Sequence, residues 1–185
     1  GWRPDIGEIA ARITPKSKAI LLCSPHNPTG GVLTHDDIRA IAALAVEKNL
    51  WALSDEAYED FQWDGTPLSI ASLPGMYERT IPLYTLSKTY AMTGVRVGYL
   101  AIKDATIRAR AHKLLLYTAT NVSSIAQYAA IGARAGDPTV WCPGQTPDLR
   151  RRGVVEVGDG RGGGQTAGFV HGDADRLALE EVRLR

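Results

Sequence analysis

The stretch that decides the fold is "AILLCSPHNPTGGVLTHDDIRAIAALAVEKNLWALSDEAY", residues 19–58. It opens with an uninterrupted apolar run, Ala19 to Ser24, of the length and character of a buried strand. Pro25 to Gly31 follows, a loop punctuated by two prolines and two glycines. Thr34 and Asp37 are spaced as a capping box. Ile38, Ile41, Ala42 and Ala45 then recur at helical spacing, which predicts an amphipathic helix over 35–48. Leu50 to Tyr58 reads as a second buried strand running out to a polar edge. Strand, loop, helix, strand is the repeating unit of a parallel sheet.

The same alternation extends outward. Ile6, Ile9, Ala10 and Ile13 predict a short helix within residues 1–18. Residues 60–79 read as a loop with short elements, and Ile81–Ser87 and Val95–Ile102 as two further strands. Asp104 is placed to cap a helix whose apolar positions are Ile107, Ala111, Leu114 and Leu115, and another helix is expected over 122–135. The predicted class is α/β, with a mainly parallel sheet flanked by helices. Such sheets collect ligands at the carboxyl ends of their strands. Asn27 lies beyond the first strand, Asp55 and Tyr58 at the end of the second, and Ser87 and Lys88 at the end of the third.

Bulk composition narrows the function classes. A formal net charge of +1 points to neither nucleic acid nor a membrane surface as partner. No apolar run reaches transmembrane length, and the N-terminus lacks a signal-peptide pattern. Cys23 and Cys142 form no C-x-x-C pair, as expected for a reducing, cytoplasmic setting. His26, His35, His112 and His171 have no partner spacing for a metal, and Arg108, Arg110, His112 and Lys113 read as the wet face of one helix. Trp51 and Trp63 read as packing residues. The first residue is not Met, so a processed product or a fragment is expected.

From about Gly136 the text changes to Gly, Arg and Asp, and helical periodicity fades. "GDGRGGG" (158–164) has too little apolar content to pack and lacks the context of a phosphate loop. Only "DRLALEEVRLR" (175–185) is expected to form structure there, as a short helix. Two domains of unlike character are expected, 1–135 and an atypical tail, 136–185, that is frameshifted or disordered.

Three segments in order, "SPHNPTGG", "SDEAY" and "SKTYAMTGVRVGY", resemble the class I/II aminotransferases of the pyridoxal-phosphate fold type I superfamily. The resemblance covers roughly residues 1–135, the central part of the large domain of such enzymes. It implies pyridoxal 5'-phosphate as cofactor. Lys88 resembles the lysine that forms a Schiff base with the cofactor aldehyde and then moves a proton as base and acid. Asp55 resembles the aspartate that keeps the pyridine nitrogen protonated, so that the ring withdraws electrons. Tyr58 and Asn27 look like the pair that hydrogen-bonds the phenolic oxygen, and Arg96 and Ser87 like the two groups that hold the phosphate. The resemblance also suggests a cis or strained bond at Pro28, and close packing at Gly94 and Gly98.

What it implies as function is transfer of an amino group between an amino acid and a 2-oxo acid, in a homodimer when intact. The same residue set serves C–S lyases and cyclopropane-carboxylate synthases, and an inactive remnant is the non-catalytic alternative. The family's N-terminal phosphate-binding turn, ring-stacking aromatic residue and small-domain carboxylate-binding arginine have no counterpart here. Arg150, Arg151, Arg152 and Arg183 cannot be matched to the last.

Overall fold

The structure, a computed structural model, describes residues 3–135, 166–173 and 176–183. The chain divides into two units, Gly1–Tyr84 and Thr85–Arg185.

In the first unit, helix α1 (Ile6–Arg12) precedes strand β1 (Ala19–Cys23), helix α2 (His35–Glu47) and strand β2 (Trp51–Asp55). Three short 3₁₀ turns, Glu59–Phe61, Ile70–Ser72 and Tyr77–Arg79, then lead to strand β3 (Thr80–Thr85). β1 pairs with β2, and β2 with β3, both in parallel. Cys23 lies level with Asp55, and Asp55 with Leu83, so the carboxyl ends share one edge.

Helix α2 holds this arrangement because the sequence specifies both of its ends. At the start, the Thr34 hydroxyl accepts from the Asp37 N–H at 3.2 Å, while the Asp37 carboxylate accepts from the Thr34 N–H at 2.9 Å. The capping box expected from the spacing is therefore formed. At the other end, Leu50 N–H donates to Ala45 O and Asn49 N–H to Val46 O, with Asn49 at φ 51°. That pair of bonds around a left-handed residue is a Schellman closure, and Asn is one of the few non-glycine residues that accept it. Leu50, 2 % exposed, is driven into the core and leads directly into β2. The core itself is Leu22, Ile38, Ile41, Ala42, Ala45, Leu50, Ala52, Ile70 and Met76.

The two sheet faces are covered unequally among the described residues. On β2, Ala52, Ser54 and the following Glu56 are buried, whereas Trp51, Leu53 and Asp55 are half-buried. On β1, Leu22 is buried but Leu21 is 71 % exposed. The expectation that Ala19–Ser24 is buried along its length is corrected accordingly. Apolar composition marks a strand that can be covered twice, and α2 covers it once.

The second unit contains a 3₁₀ turn at Thr93–Val95, strand β4 (Gly98–Leu100), and helices α3 (Ala105–Thr118) and α4 (Ser124–Ala135). Asp104 caps α3 as expected, accepting from Ile107 N–H at 2.7 Å. The strand expected over Val95–Ile102 is shorter, because Arg96 takes φ 58° and breaks the extended run. Leu114, Leu115, Tyr117, Ile125 and Tyr128 are exposed. In the tail, β5 (Thr166–Asp173) and β6 (Arg176–Arg183) pair antiparallel, with Val170 opposite Leu179. The short helix expected at the C-terminus is thus a strand. Antiparallel pairing with the adjacent strand β5 satisfies its backbone and outweighs local helix propensity. "GDGRGGG" lies outside the described residues.

One ion pair ties the chain start to α2. Arg3 donates to both oxygens of Asp37, Nη2 at 2.7 Å and Nε at 3.2 Å, and the Asp37 side chain is 7 % exposed. The Arg3 hydrogen bond, reinforced by Thr34, outweighs the effect of burial and holds the Asp37 carboxyl down at about 2. A depressed folded-state pKa contributes stability at neutral pH that is lost as pH falls from the ordinary carboxylate range toward 2. Urea unfolding should therefore show a steep acid loss of stability that Asp37→Asn flattens. Thr34→Ala should lower stability at neutral pH by about 1 kcal/mol.

Candidate functional site

In the first unit, the loop after β1 folds back on itself. His26 N–H donates to Gly31 O at 2.8 Å, and Gly30 N–H to His26 O at 2.7 Å. Gly30 has φ 70°, a left-handed value that a side chain would strain. The Asn27–Pro28 peptide is cis, as anticipated, and so is Ser24–Pro25. This folding presents Asn27, whose Nδ2 donates to the Tyr58 hydroxyl at 3.3 Å. Tyr58 is braced edge-on by the Phe61 ring at 6.1 Å.

Asp55 ends β2 on the same strand edge. Its Oδ1 accepts from Ala57 N–H at 3.1 Å, which directs the chain toward Tyr58. Glu56 alternates to the opposite, buried face, where it accepts from Ser69 Oγ at 2.6 Å, and its N–H bonds Leu83 O. Successive carboxylates thus do different work. Glu56 is spent on packing β2 against its surroundings, and Asp55 stays at the open edge. Period-two alternation is the cause.

In the second unit, residues 85–97 form a tight loop carrying Ser87, Lys88 and Arg96. Leu86 N–H donates to Val97 O at 3.2 Å, Met92 N–H to Leu86 O at 3.3 Å, and Ala91 N–H to Lys88 O at 3.0 Å. Lys88 is half-buried, and Ser87 is 9 % exposed. Arg96 donates from Nη1 to Thr93 O at 2.9 Å. Ala91 and Arg96 both sit in the left-handed region, at φ 52° and 58°. Each costs about 1–2 kcal/mol for a residue with a Cβ. Two such residues within one loop mark a conformation imposed by its surroundings, as functional loops often are.

The six residues singled out in the sequence therefore fall into two groups. Asn27, Asp55 and Tyr58 share one strand edge, and Ser87, Lys88 and Arg96 share one loop. Sequence reasoning missed Thr85 and Thr93, whose hydroxyls tie the backbone of that loop. Their signal was present in retrospect, since threonines beside turns commonly bond neighbouring backbone groups. Among the described residues no cluster of His, Cys, Asp and Glu is arranged for a metal, and no helix is long and apolar enough to cross a membrane.

The sequence profile for aminotransferase class I and II matches residues 1–141. The chain belongs to that family. It is 45 % identical over 133 residues to the aromatic-amino-acid aminotransferase 2 of Thermococcus litoralis, covering 71 % of this chain and 34 % of the relative. It is 44 % identical over 133 residues to an aspartate aminotransferase of Pyrococcus abyssi, again 71 % of this chain and 34 % of the relative. Among solved structures, it matches a double mutant of the aspartate aminotransferase of Thermus thermophilus with a TM-score of 0.70 at 32 % identity, covering 80 % of this chain and 39 % of that one. The chain thus spans about a third of the length of the curated relatives it matches.

Two substitutions probe the strained backbone. A Cβ at Gly30 meets no atom within 4 Å, so Gly30→Ala tests conformation alone and should lower stability by about 1 kcal/mol. Ala91→Gly should raise it by a similar amount. Chemical denaturation monitored by tryptophan fluorescence reads both.

Proposed function

We propose that this chain is the cofactor-binding core segment of a pyridoxal 5'-phosphate-dependent aminotransferase, with Lys88 as the catalytic residue. The observation that supports it is the chemical composition of the two groups, in a chain of this family. A carboxylate, a paired amide and phenol, an amine, and a hydroxyl with a guanidinium between them suit the four functional groups of the cofactor. These are a pyridine nitrogen, a phenolic oxygen, an aldehyde and a phosphate. The residues present therefore fit the group.

When bound, pyridoxal 5'-phosphate supplies an aldehyde carbon that carries the amino group and a ring that accepts electron density from the substrate Cα. Asp55 holds a proton at the pyridine nitrogen. Tyr58 and Asn27 donate to the phenolic oxygen, and their mutual bond at 3.3 Å keeps the two donors side by side. Ser87 and Arg96 hold the phosphate, Arg96 through the planar fork that suits an anion with several oxygens. Lys88 Nζ would hold the cofactor covalently at its aldehyde carbon and, as the free amine, would take the proton from the substrate Cα and deliver it to that aldehyde carbon. The substrates are an amino acid and a 2-oxo acid, used in turn. The aspartate and aromatic-amino-acid names of the relatives make those two classes the first to screen. The apolar residues exposed on α3 and α4 supply surface for the homodimer expected of the intact enzyme.

Addition of pyridoxal 5'-phosphate should produce a shifted visible band, and borohydride should fix the cofactor mass on the peptide containing Lys88. Lys88→Ala should abolish both. Arg96→Ala should weaken binding about tenfold or more, the worth of a hydrogen bond to a charged group. A free-cofactor spectrum identical in wild type and Lys88→Ala would overturn the proposal.

A further inference from the structure

We propose that Thr93 is a positioning residue that couples Ser87 to Arg96, so that both address one phosphate; this rests on the cofactor reading above. Thr93 Oγ1 donates to Ser87 O at 2.9 Å, and Thr93 O accepts from Arg96 Nη1 at 2.9 Å. One residue therefore holds the backbone of one anchor and the side chain of the other. Thr85 makes the complementary link. Its Oγ1 accepts from Ser87 N–H at 3.1 Å and donates to Val97 O at 3.4 Å, next to Arg96. The Ser87 backbone is thus gripped at its N–H and its carbonyl by two threonine hydroxyls; the Thr85 hydroxyl also reaches Val97 O, and the Thr93 carbonyl accepts from Arg96.

Two observations point to an anion as the purpose of this bracing. Ser87 is 9 % exposed, yet its Oγ makes no hydrogen bond among the described residues. A buried hydroxyl with both backbone neighbours satisfied and its own oxygen unsatisfied is uncommon and calls for a ligand. Arg96, meanwhile, keeps a left-handed backbone at φ 58° while one arm of its guanidinium is tied to Thr93 O. A guanidinium has five donors, so one bond to a carbonyl orients the fork and leaves the rest for an oxyanion. Thr93 fixes where that fork points.

A positioning role for the phosphate predicts an effect that depends on the phosphate. Thr93→Val removes the hydroxyl at nearly constant shape. It should weaken binding of pyridoxal 5'-phosphate about tenfold, the order of one hydrogen bond in a charged network. It should leave the affinity for pyridoxal, which lacks the phosphate, within about twofold. Thr93→Ser should restore phosphate-dependent affinity, and Thr85→Val should behave like Thr93→Val. Inorganic phosphate should compete with the cofactor less well in both valine variants than in wild type. Thermal unfolding of each variant separates these effects from loss of fold. Equal losses for both ligands, or none, would overturn the proposal. If Arg96→Ala weakens the cofactor and Thr93→Val does not, only the role of Thr93 fails. If wild type binds neither ligand, the proposed function fails and this inference with it.

Discussion

Asp55 lies level with Cys23 on one side and Leu83 on the other, and the arrangement of the first group follows from that register. Parallel strands cannot be joined by a hairpin, so each connection must cross back over the sheet. The β1–β2 crossing is α2, and its length is set at both ends by side chains and backbone rather than by packing alone. The Thr34–Asp37 box starts it, and the Asn49 turn stops it and feeds Leu50 into the core. A slip of one residue in β2 would exchange Asp55 with Glu56. It would place the packed carboxylate at the open edge and bury the other.

The second group obeys a different logic. Ser87 and Arg96 are held by hydrogen bonds within their own loop. Thr85 and Thr93 replace the ladder bonds that a tight, partly left-handed loop cannot make. The strain at Ala91 and Arg96 is sustained because several such bonds close the loop at once. A loop of this kind presents an amine and a guanidinium at defined positions.

Much of this was legible in the residues. The apolar run at 19–24, the spacing of Ile38, Ile41, Ala42 and Ala45, and the pair Thr34 and Asp37 announced β1 and α2. The order of "SPHNPTGG", "SDEAY" and "SKTYAMTGVRVGY" announced the family. Three things were not legible. The run 95–102 looks extended because Val, Tyr and Ile favour strands, but Arg96 in a left-handed conformation interrupts it. Residues 176–183 look helical by composition, but β5 offers them backbone partners. Leu21 and Leu114 look like core residues, but apolarity records what a side chain prefers, not what is available to cover it.

By itself, then, the sequence determined the element types of residues 5–55, the family, and which residue types stand ready for chemistry. These depend on local spacing, capping and motif order, all of which are written along one dimension. Tertiary structure alone decided that Asp55 rather than Glu56 faces the open edge, that Asn27 reaches Tyr58, and that two threonines brace Ser87. Each of those facts depends on groups brought together across the chain or around a turn. Their energies come from register and hydrogen-bond geometry, which no spacing of letters specifies.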